Sequence, residues 1–237
     1  MMQGNEELRW MPALELASAI KRKEISPVEV VEAALRQIER INPQLNAYCT
    51  VTADLARQEA RMAEDKVLRG ESLGPLHGVP FSVKDLITTK GVRTTFGSKI
   101  FADNVPAEDA PAVERLKKAG GILLGKTNTP EFGWLAATHN QLFGPTRNPW
   151  NTELTSGGSS GGAAVAVATG MGPLALGSDG GGSIRIPASF CGIVGFKPSY
   201  GRIPIYPNSS NWSISHYGPM TRTVKDAALM MNMLAGP

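Results

Sequence analysis

Three segments near the start of the chain carry the helical pattern of apolar positions. In residues 12–23, 26–43 and 53–68, apolar side chains recur three and four positions apart, which places them on one face of a helix. Such faces need a partner surface to bury them. We therefore expect residues 1–70 to form a helical N-terminal segment that packs on the rest of the chain.

The sequence also marks the ends of these helices. Ser26 and Glu29 have the spacing of a capping box, and Pro27 suits the first turn of the second helix. Pro43 predicts the end of this helix, because proline interrupts helical hydrogen bonding. Thr52 is the expected N-cap of the third helix.

Beyond residue 70, short β-like runs alternate with helical runs. This alternation favours an α/β architecture, in which helices cover a sheet. No repeat or linker separates residues 71–237 from the helical segment, so a single domain is predicted. Residues 197–218 are predicted to form a loop. The predicted strands are residues 79–83, 122–127 and 193–196, and residues 173–179 are predicted as a strand followed by a turn. The predicted helices are residues 111–121, 163–170 and 223–234, the last capped by Thr223.

Composition and charge argue against several classes of function. The 237 residues include 24 Lys and Arg against 21 Asp and Glu, without the basic run of a nucleic-acid binding protein. Cys49 and Cys191 are isolated, which predicts free thiols rather than a zinc site. Residues 154–178 are uncharged but broken by glycine and serine, and residues 1–10 have no apolar signal core. We expect a cytoplasmic protein without metal, cofactor or membrane span.

Two short motifs match other chemistries but stand in the wrong context. Residues 120–127, GGILLGKT, fit the P-loop pattern, yet their apolar interior predicts a strand rather than a phosphate-binding loop. The sequence GGSSG fits a nucleophile elbow, with Ser159, Asp179 and His216 in the order of a hydrolase triad. No predicted strand leads into this serine, as an elbow requires. The histidines lie in turn-rich segments and are expected to be ordinary loop residues.

The segment SDGGGSIRIP, residues 178–187, is the strongest candidate for chemistry. Acyl transfer needs a nucleophile and hydrogen-bond donors for the developing oxyanion. Ser183 follows three glycines, whose unshielded amides can form a concavity for negative charge. The candidate oxyanion donors are the amides of Gly180, Gly181, Gly182 and Ser183.

The proton acceptor is harder to recognise, because no histidine has a suitable context. Lys84 lies in the apolar run VPFSVKDLI, where a lysine either extends its amine to solvent or is desolvated. Desolvation lowers the pKa of an amine and favours the neutral form, which can accept a proton. On the residues alone, both interpretations of Lys84 stay open.

A series of motifs resembles the amidase signature family. The segments are PLHGVPFSVKD, GILLGKTNTPEFG, FGPTRNPW, SGGSSGGAAVAVATG, LGSDGGGSIRIPASFCGIVGFKPSYGRIP and GPMTRTVKDAALMMNMLAGP, in the family's order, and they cover most of residues 74–237. The resemblance implies a mixed β-sheet covered by α-helices on both sides. Because family members are longer, it also implies that the chain carries the N-terminal half to two-thirds of an incomplete family domain.

The resemblance further implies a catalytic set. Ser183 would be the nucleophile, Ser159 a bridging serine preceded by a cis peptide bond, and Lys84 the base. The oxyanion hole would lie at residues 180–183. Support by hydrogen bonding and loop positioning would come from Ser160, Ser178, Asp179 and Arg185, with a helix-capping role as the plain alternative for Ser160.

Three functions stay open under this resemblance. The first is a stand-alone amidase acting on a small carboxamide. Residues 130–150 resemble the stand-alone enzymes more closely, because the alternative relative tends to carry a serine- and glutamate-containing stretch at residues 134–141. The second is the glutaminase component (the A component) of glutamyl-tRNA amidotransferase, which releases ammonia from glutamine inside a multisubunit complex. The third is an inactive or binding fragment, although both serines and the lysine are present. The family also implies a homodimer, and neither nucleic acid nor membrane is an expected direct partner.

Overall fold

The computed structural model describes residues 7–208 and 213–237. Residues 1–6 belong to the segment for which no signal core is predicted, and that part of the prediction lies outside the described residues. Residues 209–212 of the predicted loop lie outside them as well. Within the described residues, no helix is both long and apolar enough to cross a membrane.

Helices and strands are interspersed along the described part of the chain. The α-helices are α1 (Ala13–Lys21), α2 (Pro27–Leu45), α3 (Ala53–Arg69), α4 (Pro111–Lys118), α5 (Gly161–Ala168), α6 (Arg185–Cys191) and α7 (Val224–Leu234). The strands are β1 (Tyr48–Val51), β2 (Pro80–Lys84), β3 (Ile122–Thr127), β4 (His139–Asn140), β5 (Gly144–Pro145), β6 (Leu174–Asp179), β7 (Val194–Gly195) and β8 (His216–Thr221). Short 3₁₀ helices cover Lys99–Phe101 and Glu131–Gly133.

Six strands form one mixed sheet in the order β1-β3-β2-β6-β8-β7. Strand β2 is parallel to both β3 and β6, while β1 pairs antiparallel with β3 and β8 pairs antiparallel with β6 and β7. The carboxyl-terminal ends of the parallel strands lie side by side, and ligand sites of α/β proteins commonly lie at these ends. The expected mixed α/β sheet is confirmed.

Both faces of the sheet are buried along its inner strands, where every residue of β2 and β3 is buried and successive side chains point to opposite faces. Phe81, Val83 and Leu123 belong to one apolar core, which the helices α1, α4 and α7 cover. Ile122 and Leu124 point to the other core, which includes apolar residues of α2, α3 and α5. Helices therefore cover the sheet on both sides, as the resemblance implies.

The N-terminal segment contributes a strand as well as helices. Strand β1, between α2 and α3, pairs with β3 at an edge of the sheet. The expectation that residues 1–70 are helical is therefore incomplete, because the run YCTV is too short for a recognisable pattern. We propose that residues 1–70 and 71–237 form one domain, since a strand of the first part is hydrogen-bonded into the sheet of the second.

Most predicted helix ends are confirmed, and two differ. Ser26 and Glu29 form the predicted capping box, and Thr223 accepts a hydrogen bond from the Asp226 amide. Helix α2 continues past Pro43 to Leu45, so the predicted end is wrong by two residues; the helix ends where Asn46 adopts a left-handed backbone conformation. Thr52 makes no cap hydrogen bond, because its hydroxyl donates to the Leu123 carbonyl instead.

Two elements next to the candidate site were not predicted. Strand β8 occupies the end of the predicted loop 197–218 and continues to Thr221. Its sequence HYGPMT contains Gly and Pro, which weaken a strand pattern. Helix α6 follows Ser183 directly and includes Pro187 in its first turn, where the missing proline N–H is tolerated.

Candidate active site

Lys84 is the last residue of β2 and is fully buried. Its Nζ donates hydrogen bonds to Ser159 Oγ at 2.6 Å and to Ser178 Oγ at 3.1 Å. Strand β6, which carries Ser178, runs parallel to β2. The carboxyl-terminal ends of these two strands therefore bring Ser178 and Lys84 together. Of the two interpretations of this lysine, the desolvated one is correct.

The environment of Lys84 disfavours its charged form. Burial lowers its pKa to about 7, while the negative charge of Asp179 acts in the opposite direction. A substantial fraction of neutral amine is therefore present at neutral pH. The neutral amine has a lone pair that can accept a proton from a neighbouring hydroxyl.

Ser159 lies in the turn before α5, and the Gly158–Ser159 peptide bond is cis, as the resemblance implies. Its side chain is buried. The next residue, Ser160, occupies the N-cap position of α5 but makes no side-chain cap hydrogen bond. Its hydroxyl donates to the Ser178 carbonyl at 3.1 Å, and its amide donates to the Ser183 carbonyl at 3.1 Å. Ser160 therefore ties the serine turn to β6 and to the glycine-rich loop, and the alternative of a capping role is not supported.

Ser183 joins the glycine-rich loop to α6 and lines the same cavity as Ser159 and Ser178. The structure brings Lys84, Ser159 and Ser178 into direct contact and places Ser183 on their cavity. No hydrogen bond between the hydroxyls of Ser159 and Ser183 occurs among the described residues. Catalytic hydrogen bonds of this kind are often long in free enzymes and shorten when substrate binds.

The glycine-rich loop is held by a buried carboxylate. Asp179 accepts hydrogen bonds from the amides of Gly182 and Ile184 and a two-point contact from the Arg185 guanidinium at 3.0 and 2.9 Å. Burial by itself would raise the pKa of Asp179, but the hydrogen bonds from Arg185 and the two amides lower it to about 2. Asp179 and Arg185 thus fix the loop beside Ser183.

One of the four amides predicted as oxyanion donors is already hydrogen-bonded within the loop. The Gly182 amide donates to Asp179 Oδ1 at 2.7 Å, so it is not available to a substrate oxygen. Gly182 also does not line the cavity, whereas Gly180, Gly181 and Ser183 do.

The cavity above the serines has a volume of about 930 Å³. Most of its lining beyond the serines is apolar or aromatic, and Phe96, Phe101 and Phe132 form one wall. The sequence-based reasoning missed these residues. A pattern does exist in hindsight, because Phe96 and Phe132 each precede a glycine, but Phe143 precedes a glycine too and does not line the cavity.

The discounted motifs have other roles. Lys126 of the P-loop match is a buried strand residue that donates to the Ile87 carbonyl and to the hydroxyls of Thr89 and Thr94. His216 hydrogen-bonds backbone carbonyls through Nδ1 rather than a serine. Across the described residues, no group of three or more His, Cys, Asp or Glu side chains could hold a metal ion. Both cysteines are free.

Comparison with known families and sequences shows which proteins this chain resembles. A family model described as Amidase matches residues 29–237. An acylamidase from Rhodococcus erythropolis is 47% identical over 235 residues, covering 98% of this chain and 49% of that protein. The A component of a glutamyl-tRNA(Gln) amidotransferase from Carboxydothermus hydrogenoformans is 50% identical over 231 residues, covering 97% of this chain and 48% of that protein. The chain therefore spans about half the length of the curated relatives it matches.

Solved structures of related enzymes have a similar fold. A bacterial aryl acylamidase described as an amidase signature enzyme matches with a TM-score of 0.91 at 42% identity, over 96% of this chain and 48% of its own. The 6-aminohexanoate cyclic dimer hydrolase, solved with substrate, matches with a TM-score of 0.89 at 37% identity, over 97% of this chain and 47% of its own.

Proposed function

The chain belongs to the amidase signature family, and on that premise we propose that it hydrolyses a carboxamide through an acyl-enzyme on Ser183. The observation that carries this proposal is the buried Lys84 amine, 2.6 Å from the Ser159 hydroxyl and beside a cavity that Ser183 lines. A buried lysine of lowered pKa can act as a general base near neutral pH.

The first half-reaction forms the acyl-enzyme. Ser183 Oγ attacks the amide carbonyl and gives its proton to Ser159 Oγ, which passes its own proton to neutral Lys84. The negative charge that develops on the carbonyl oxygen is stabilised by the amides of Gly180, Gly181 and Ser183. Support for this choice comes from the cavity, which these three residues line and Gly182 does not. The Lys84 ammonium then returns the proton through Ser159 to the leaving amine.

The second half-reaction regenerates the enzyme. Water takes the place of the amine, loses a proton through Ser159 to Lys84, and attacks the ester carbonyl. The same proton returns to Ser183 Oγ as the acid leaves. The net change is one amide and one water converted into one acid and one amine.

Trapping the intermediate tests this proposal. A single-turnover reaction with a p-nitroanilide should release nitroaniline together with a mass increase on Ser183 equal to the acyl group. Ser183→Ala should release none and gain no mass, while Ser199→Ala, a matched exposed serine, should behave as the unchanged protein. Nitroaniline release by Ser183→Ala at the normal rate would contradict the proposal.

Glutamine hydrolysis within a complex is the second candidate function, favoured by the 50% identity to the A component of an amidotransferase. This candidate predicts that glutamine is cleaved only after the partner proteins of the complex are added. Cleavage of simple amides by the chain alone would favour the first candidate. An inactive or binding fragment would fail in both assays.

We also propose a cytoplasmic location and a homodimer. The two free cysteines support the location, because free thiols are usual in reducing compartments. The homodimer is supported by the family resemblance alone. Sedimentation of the purified protein tests it, and a monomer at all concentrations would contradict it.

A further inference from the structure

One wall of the cavity is a cluster of three phenylalanines, called here the aromatic wall: Phe96, Phe101 and Phe132. The Phe101 ring lies 5.2 Å from the Phe96 ring and 6.1 Å from the Phe132 ring, with interplanar angles of 80° and 88°. Both are edge-to-face contacts, the geometry that aromatic rings prefer. The wall therefore offers ring edges and faces to whatever enters the cavity.

These rings are not ordinary core residues. Phe101 is 37% exposed and Phe132 is 42% exposed, and both line the cavity. A core phenylalanine of this protein, Phe81, is fully buried. Exposed apolar side chains gathered around one cavity indicate a binding surface rather than scattered surface residues.

The backbone fixes the wall to the catalytic lysine. Phe96 and Phe132 have φ values of 55° and 49°, a left-handed conformation that is strained for bulky residues. The Phe132 amide donates to the Phe96 carbonyl at 2.8 Å, and the Phe96 amide donates to the Asp85 carbonyl at 3.0 Å. Asp85 directly follows Lys84, so two hydrogen bonds connect the wall to the strand end that carries the base.

The part of the cavity lining that the structure describes is uncharged. Among the residues that the structure describes, no Asp, Glu, Lys or Arg lines this cavity. Free glutamine carries an ammonium and a carboxylate next to each other, and moving these charges out of water is costly without ionic partners. A ring or an alkyl group needs none, and it gains from contact with the aromatic wall.

We propose that the aromatic wall is the binding subsite for an apolar, ring-bearing group of a neutral amide, and that it makes such amides better substrates than free glutamine. This inference rests on the proposed hydrolysis at Ser183 and adds the chemical class of its substrate. Phe101 is the specificity-determining residue, because its ring contacts both of the other two.

Three primary amides with the same reacting bond separate the effect of an added ring from the effect of glutamine's charged groups. Butanamide is the amide arm of glutamine without its charged groups, and 4-phenylbutanamide adds a ring at the carbon where glutamine carries its charges. With the 237-residue protein, kcat/KM should rise by about tenfold or more from butanamide to 4-phenylbutanamide, and glutamine should fall below butanamide by a similar factor. Glutamine hydrolysed as well as 4-phenylbutanamide would overturn the inference.

Substitution identifies the subsite. Phe101→Ala is preferred to changes at Phe96 or Phe132, because the latter two hold left-handed backbone. It should lower kcat/KM for 4-phenylbutanamide about tenfold more than kcat/KM for butanamide. Phe190→Ala is the matched control, since this ring is 49% exposed but does not line the cavity. An equal loss on both amides would indicate a merely structural role and overturn the inference.

A binding measurement separates this inference from the proposed function. If no amide is hydrolysed, the proposed function fails, but ligand-detected NMR can still measure 4-phenylbutanamide binding to Ser183→Ala. Binding that weakens about tenfold when Phe101→Ala is added, and not when Phe190→Ala is added, would support the subsite. No detectable preference for 4-phenylbutanamide over glutamine in this assay would overturn it.

Discussion

Lys84 Nζ and Ser159 Oγ lie 2.6 Å apart although the two residues are 75 positions apart in sequence. The lysine ends a sheet strand and the serine belongs to the turn before α5. Both side chains are buried. Burying a charged amine is costly unless its charge is paired, so the buried Lys84 amine tends to lose its proton and become neutral.

Replacing Lys84 should abolish amide hydrolysis while leaving the fold intact. Lys84→Met keeps the length of the side chain and removes the proton acceptor, so kcat should fall by about a thousandfold or more. Lys118→Met, at an exposed lysine of α4, is the control and should keep normal activity. Circular dichroism of both variants verifies folding. A Lys84→Met protein with near-normal kcat would show that the base lies elsewhere.

The depressed pKa of Lys84 should also appear in the pH dependence of stability. Between pH about 7 and its ordinary pKa of 10.5, Lys84 is neutral in the folded state and protonated in the unfolded state. The unfolded state therefore binds more protons than the folded state. As a result, the free energy of unfolding rises with pH through this window. Buried Lys126 acts in the same direction, since burial lowers its pKa to about 8.

Urea unfolding at several pH values isolates the Lys84 contribution. The stability of Lys84→Met relative to the unchanged protein should be greatest at pH below about 7 and should decline as pH rises toward about 10. Lys126 is present in both proteins and cancels in the difference. A difference that does not change with pH would contradict the depressed pKa.

Asp179→Asn should loosen the glycine-rich loop. The carboxylate holds the amides of Gly182 and Ile184 and the Arg185 guanidinium, so its removal should cost about 1–3 kcal/mol of unfolding free energy and lower kcat. Asp65→Asn, at an exposed position of α3, is the control. The contribution of the Asp179 carboxylate to the free energy of unfolding should be fully present above pH about 4. It should be lost as pH falls through about 2. Equal urea midpoints for the two variants would argue against this role.

Two neighbouring glycines should respond differently to alanine. Gly182 has φ 115°, and an added Cβ would lie 2.8 Å from Ile186 Cδ1, so Gly182→Ala should cost about 1 kcal/mol or more. An added Cβ at Gly181 has no heavy atom within 4 Å, so Gly181→Ala should unfold at nearly the urea concentration of the unchanged protein. A larger loss of stability in Gly181→Ala than in Gly182→Ala would contradict this loop conformation.

Local signals in the sequence were sufficient for most helices and for the inner strands. Ser26 and Glu29 predicted their capping box, and the apolar run at residues 122–127 predicted a buried strand. Strand β8 was missed because its Gly218 and Pro219 are read as loop residues. Its strand structure depends on antiparallel pairing with β6, which local sequence does not encode.

Parts of the site depended on tertiary structure in the same way. The motifs around Lys84, Ser159 and Ser183 are recognisable from sequence, but the burial that lowers the lysine pKa requires both faces of the sheet to be covered. Four glycine-loop amides look equivalent along the chain, and only the carboxylate of Asp179 distinguishes Gly182 from its neighbours. Phe96 and Phe132 lie far apart in sequence and are joined by one backbone hydrogen bond. No local sequence pattern predicts this contact.

The rate at which a fluorophosphonate labels Ser183, measured against pH, tests the central claim most directly, because it needs no knowledge of the natural substrate. If buried Lys84 is the base, labelling of the unchanged protein should rise with pH through a midpoint of about 7. Lys84→Met should be labelled about a thousandfold more slowly, without that midpoint. Equal labelling rates and the same midpoint in both proteins would contradict the account.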